Sequence, residues 1–169
     1  MGATRPLLLP IILTLLLPAT AGGPPTPCRS PAHRQFDFWL GDWEVRTPDG
    51  AVAGTNRITG IQGGCGLLEN WAGASGMTGT SLNTYDAARG LWHQTWVDSR
   101  GSLLLLDGAF EAGKMVLSGT TRSPQGKTVT DRITWEPTSA GAVRQLWEQS
   151  EDGGKSWTVA FDGRYTRRR

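Results

Sequence analysis

"FDFWLGDWEV" spans residues 36–45 and sets four aromatic side chains, Phe36, Phe38, Trp39 and Trp43, around Gly41. The stretch changes period at its middle. Before the glycine, Phe36, Trp39 and Leu40 fall at i, i+3 and i+4, the apolar stripe of a helix. After it, "DWEVRT" alternates as a strand does. Upstream, Ser30 suits a helix N-cap, Pro31 its first turn and Gly41 its end. A short helix, a glycine hinge and a first strand are therefore expected in succession. So dense an aromatic cluster marks the place where a fold closes its core.

Downstream, period two dominates and long helical periodicity is absent. "GTSLNTYD" (79–86), "LWHQTWVDS" (91–99), "SLLLLDGAF" (102–110), "KMVLSGTT" (114–121), "KTVTDRITWEP" (127–137), "AVRQLWEQS" (142–150) and "KSWTVAFDGRYT" (155–166) all read as strands. "DWEVRT", "AGTNRITGIQ" and "GLLENWAG" bring the count to about ten. The turns "TPDG", "DAARG", "DSRG" and "EAGK" are short, so neighbouring strands form antiparallel hairpins. A meander of this length either closes or leaves long unpaired edges, and closure removes the edges. The expected fold is all-β: a single antiparallel up-and-down β-barrel of about ten strands with a short N-terminal plug helix. A β-sandwich is the alternative.

Ahead of the motif, Arg5 and the apolar run "LLLPIILTLLLP" (7–18) precede "ATA" (19–21), the order of a cleavable signal peptide. The run is too short and too rich in proline to span a bilayer comfortably. Residues 1–21 are thus expected to be removed, 22–29 to form an extended leader, 30–166 the barrel and 167–169 a basic tail. No stable membrane span is expected after cleavage, and the location is periplasmic or secreted. A retained N-terminal anchor is the competing reading. "PPTPC" lacks the small-residue pair that precedes a lipidated cysteine.

Cys28 and Cys65 survive that cleavage, and an even count in an exported chain favours a disulfide between them; two free thiols are the alternative. The whole chain carries 17 basic and 15 acidic side chains, a formal charge of +2. With no basic stripe and only "RRR" at 167–169, nothing points to nucleic acid. The chain is of a size for one domain and is expected to be a monomer.

"RQFDFWLGDWEV", "GGCGLLENW", "SLNTYD", "QTWVDSRGSLLLLDG" and "RQLWEQSEDGGKSW" occur in that order between Cys28 and Tyr165. On these stretches the chain resembles bacterial exported lipocalin-like proteins of the calycin superfamily, a family of unknown function. "GDW" looks like the Gly-x-Trp that opens calycin barrels. The resemblance implies a helix plugging one barrel end, with Trp43 packed beneath the lumen. It also implies a late arginine laid across that tryptophan, for which Arg164 and Arg167 are the candidates. Barrels of this kind host unrelated activities, so the resemblance speaks to fold more than to function.

Strand parity indicates what faces inward. Trp157, Val159, Phe161 and Tyr165 share one face of the last strand; Trp92, Gln94 and Trp96 align, as do Gln145, Trp147 and Gln149. Glu69 aligns with Trp71, and Asn83 with Tyr85. If the bulky member marks the inside, Glu69, Trp71, Asn83, Tyr85, Gln94, Trp96, Gln145 and Trp147 line the lumen. Aromatic walls with a few placed polar groups suit a small-molecule pocket. The competing account is a filled core whose amides and carboxylate satisfy one another.

The same residues bear on three sharper readings. "SEDGGKSW" (150–157) resembles the Asp-box of sialidase propellers, in which Asp152 and Gly154 would build the turn and Trp157 would anchor it in the core. One copy without a repeat period makes it a structural turn rather than a propeller. Ten-stranded haem-binding calycins use a histidine late in the barrel, whereas this chain has only His33 and His93. Parity points His93 outward, so no cofactor and no metal are expected. Glu69 with Asp98, Asp107 or Glu148 would make a paired-carboxylate site. No nucleophile elbow, phosphate loop or metal-spaced cluster accompanies it.

The function expected is binding of a small apolar or amphipathic molecule in the lumen. A lumenal hydrolase or isomerase using Glu69 is the alternative. A filled barrel acting through its outer surface on a protein or the envelope is the third.

Overall fold

Ten strands follow one another: β1 (Gly41–Arg46), β2 (Val52–Ile61), β3 (Gly66–Gly73), β4 (Thr78–Asp86), β5 (Leu91–Asp98), β6 (Leu103–Glu111), β7 (Lys114–Arg122), β8 (Thr128–Pro137), β9 (Val143–Ser150) and β10 (Thr158–Arg167). The computed structural model describes residues 1–2, 27–138 and 141–168. Residues 3–21 of the expected signal peptide and 22–26 of the leader lie outside the described residues.

Each strand pairs antiparallel with the next, and β10 returns to β1, closing the barrel. The expected up-and-down barrel is therefore the fold, and the sandwich is not. The hairpins are short because their turn residues are cast for it. At the β5–β6 turn the Asp98 carboxylate accepts the backbone N–H of Arg100 and of Ser102.

The plug differs from the single helix expected. Two 3₁₀ turns, Pro31–Arg34 and Asp37–Trp39, are separated by Phe36 in a non-helical conformation. Ser30 does not cap an N–H with its side chain; its hydroxyl meets His33 Nδ1 at 2.7 Å. In 3₁₀ geometry residues i and i+3 eclipse. Phe36 accordingly stacks on Trp39, with centroids 4.9 Å apart and planes at 15°. Both side chains are fully buried. Phe36 meets Trp92 and Trp135 edge-on, at 5.6 and 5.3 Å, and so seals this end of the barrel.

Gly41 is not the end of a helix but the first residue of β1. Its φ of +136° suits only glycine, and a Cβ there would stand 1.8 Å from Arg167 Nη1. That space is used. Arg167 donates to the Leu40 carbonyl at 2.6 Å, and its guanidinium carbon lies 4.1 Å over the Trp43 ring. Trp43 is fully buried and donates to the Trp39 carbonyl at 2.8 Å. Of the two arginines considered, Arg167 covers the tryptophan. The basic tail therefore does not begin at 167, because Arg167 is the last residue of β10 and pairs opposite Trp43.

Cys28 and Cys65 form a disulfide, with Cα atoms 4.9 Å apart. It ties the segment before the plug to the end of the β2–β3 connection.

Parity misplaces the start of β10. The register against β9 shifts between Val159 and Phe161, so the strand changes face at Ala160. Val159 is 63% exposed, whereas Tyr165 is buried in the core. Trp157 precedes the strand and anchors the Asp-box turn from outside. The Arg132 guanidinium sits 3.8 Å over its ring, and its Nε1 donates to the Gly154 carbonyl. Within the turn, Asp152 accepts the backbone N–H groups of Lys155 and Ser156 and the hydroxyls of Ser150 and Ser156. The Ser156 donors, with these others, hold the Asp152 carboxyl well below the usual carboxylate range.

Candidate lumenal binding site

At the end away from the plug, the lumen opens into a cavity of about 220 Å³. Trp71, Trp96, Trp147 and Phe161 wall it, Leu104 and Ile133 fill between them, and Met77 reaches in from the β3–β4 turn. Glu69, Gln145 and Tyr165 form its inner surface, towards the plug. Tyr165 in turn packs on Trp43, with ring centroids 6.1 Å apart.

Trp71 and Trp96 do not stopper the barrel, because neighbouring strands offer glycine where they lie. A Cβ on Gly79 would stand 2.2 Å from the Trp96 ring, and one on Gly54 2.9 Å from Trp71. Each indole occupies space that a side chain would take, and so lies along the wall. Trp71 and Phe161 meet nearly perpendicular, at 79° with centroids 6.0 Å apart. The result is an aromatic box with one polar surface.

That polar surface continues a buried hydrogen-bond ladder across four strands. Gln94 Nε2 donates to Asn83 Oδ1 at 2.8 Å, Asn83 Nδ2 to Ser81 Oγ at 2.8 Å, and Ser81 Oγ to Glu69 Oε2 at 2.5 Å. From the other side Asn56 Nδ2 donates to Glu69 Oε1 at 2.7 Å. Asn56 Nδ2 also reaches the Tyr165 hydroxyl, which donates to Gln145 Oε1. Asn56 Oδ1 is buried without a hydrogen-bond partner.

Glu69 is only 4% exposed. Burial raises its pKa to about 7, against the lowering effect of the Ser81 and Asn56 hydrogen bonds. Burial, with the Glu69 charge nearby, likewise pushes the Tyr165 hydroxyl well above its ordinary value.

Of the eight residues expected to line the lumen, Glu69, Trp71, Trp96, Gln145 and Trp147 meet at the cavity. Asn83 and Gln94 are buried in the ladder behind Glu69 and support it rather than the cavity wall. Tyr85 belongs to the closed end, packing edge-on against His33 at 5.2 Å and near Trp92 at 6.1 Å. Being inside a barrel does not say at which end, and parity cannot tell the two apart.

Some members were missed although their parity shows them. Asn56 shares a face with Ile58, and Ser81 with Asn83. Asp131 sits between Val129 and Ile133 on the inner face of β8 and is fully buried. It accepts hydrogen bonds from Trp147 Nε1 at 2.8 Å, Gln149 Nε2 at 2.9 Å and Thr121 Oγ1 at 2.7 Å. Met77 carried no signal, because it reaches the cavity from a turn.

The carboxylate pairs considered with Glu69 do not form. Asp98 caps its turn, Asp107 binds His93 and Arg89 on the outside, and Glu148 pairs with Arg132. Neither histidine lines the cavity; His93 spans Asp107 and Thr95, and His33 lies in the plug. Compared with known proteins, the chain matches no protein-family model and no curated protein.

Proposed function

We propose that this barrel binds a small apolar or amphipathic molecule in the open end of its lumen. The observation that carries the reading is the aromatic box itself: about 220 Å³ held open because Gly54 and Gly79 let Trp71 and Trp96 lie against the wall. Apolar walls with a few convergent polar groups are the make-up of a small-molecule site. The ladder behind Glu69 fixes the polar surface before any guest arrives, which reduces the ordering needed on binding.

Export to the periplasm or the medium is part of the same proposal, supported by the Cys28–Cys65 disulfide and the signal-like N-terminal sequence. Native mass spectrometry of the purified protein tests the binding reading, together with displacement of an apolar fluorescent dye. A bound small molecule, or dye binding that Trp96→Ala abolishes, supports it. A protein that carries no guest and takes up no dye rejects it.

A general-base role for Glu69 is the second reading, favoured by its pKa near 7, where a base is best poised. Turnover of an ester or enolisable substrate panel that disappears in Glu69→Gln, with folding intact, would establish it.

A further inference from the structure

We propose that the guest is a cation: a protonated or quaternary amine whose head seats against Glu69 inside the aromatic box. This rests on the lumenal-binding reading and narrows it to one chemical class.

The lumen holds carboxylates whose hydrogen-bond partners among the described residues are all neutral donors. Glu69 lines the cavity, and Asp131 stands directly behind the wall, bound to Trp147 Nε1. Among the described residues, no lysine, arginine or histidine lines the cavity. The basic side chains that form ion pairs do so with acids elsewhere, as Arg132 does with Glu148 and Arg144 with Asp162. A buried carboxylate is normally paired, and here no described residue of the cavity supplies the counter-charge. Burial without that counter-charge is what raises the Glu69 pKa.

The carboxylate also has room for a further donor. It accepts one hydrogen bond on each oxygen, from Asn56 and Ser81, out of roughly four acceptor positions. Around it, Trp71, Trp96, Trp147 and Phe161 bring π-electron density, and the perpendicular pair Trp71–Phe161 makes two walls of a box. Aromatic walls of this kind attract ammonium groups, more strongly when the site is desolvated. Hydrogen bonding of the Trp147 indole N–H to Asp131 adds negative potential to that ring. An anionic guest would meet these carboxylates with nothing to neutralise it. A purely apolar guest would leave Glu69 desolvated and would be served as well by leucine.

Choline and its uncharged isostere 3,3-dimethylbutan-1-ol test this by calorimetry or tryptophan-fluorescence titration. Choline is expected to bind at least about tenfold more tightly than the alcohol. Glu69→Gln should remove most of that preference by lowering choline's affinity far more than the alcohol's. Phe161→Leu, at a half-buried side chain, should lower choline's affinity more than the alcohol's, and it serves if Glu69→Gln does not fold. Equal or tighter binding of the alcohol to the wild-type protein overturns the cation and leaves the lumenal-binding reading standing. Failure of choline, the alcohol and an apolar dye to bind overturns both.

Discussion

Raising the pH through the titration of Glu69 should weaken the fold. Folded, this carboxyl titrates at about 7 rather than 4.5, because burial removes more stabilisation of the charge than Ser81 and Asn56 restore. Between those values the folded chain keeps a proton that the unfolded chain has released, so stability falls as pH rises. The contribution is fully present below about pH 4.5 and is lost as pH rises through about 7. At about 1.4 kcal/mol per pH unit between the two values, the loss is about 3 kcal/mol. Urea unfolding followed by tryptophan fluorescence, with the disulfide intact, measures it between about pH 4 and pH 9. Tyr165, whose hydroxyl the Glu69 charge also pushes up, ionises above that range, so within it the difference between the wild-type and Glu69→Gln profiles belongs to Glu69. Glu69→Gln keeps one oxygen to accept from Asn56 Nδ2, and its amide N–H faces the Ser81 hydroxyl oxygen as acceptor. The variant should gain about 3 kcal/mol on the wild type across that range. Profiles parallel to within about 0.5 kcal/mol would refute the reasoning, because Glu69 would then be ionising as freely folded as unfolded.

Trp43→Ala is expected to cost about 3–5 kcal/mol in the same unfolding assay, as other buried large-to-small changes do, and a loss below about 1 kcal/mol would contradict its place under the lumen. Gly79→Ala sets a methyl group 2.2 Å from the Trp96 ring and must push the indole into the cavity, so dye or amine affinity should fall about tenfold with a shift in tryptophan emission. Unchanged affinity would mean that Trp96 does not form the wall. Replacing both Cys28 and Cys65 with serine frees a loop of sequence separation 37 and should lower stability by up to about 4 kcal/mol, read from the urea midpoint.

What was legible beforehand follows from what local pattern encodes. Alternation is a property of one strand, so ten antiparallel strands could be counted, and the inward parity of Glu69, Trp71, Trp96, Gln145 and Trp147 could be read, from single segments. Short hairpin turns limited the neighbours, and edge avoidance then favoured closure. The aromatic cluster at 36–45 announced a sealed end for the same reason: its apolar stripe and its alternating strand meet at one glycine.

The places where the pattern failed are those where a second segment decides. One extra residue at Ala160 reverses the face of β10, and only the pairing with β9 reveals it. Whether Tyr85 belongs to the cavity or the plug depends on strand stagger, which puts it beside His33. Trp157 packs outside because Arg132 of β8 lies beneath it.

By itself, then, the sequence determined the antiparallel strands and most of the aromatic residues that face inward, because periodicity and turn chemistry are local, and it favoured closure, a plugged end and a Cys28–Cys65 bond over the alternatives. Only the tertiary structure decided that those tryptophans leave a cavity rather than fill it, and that Glu69 stands in it with no basic side chain among the described residues lining it. Register sets glycine of one strand against tryptophan of the next, and it gathers Asn56, Ser81 and Tyr165 around one carboxylate. Such cross-strand proximity has no signature within any single strand.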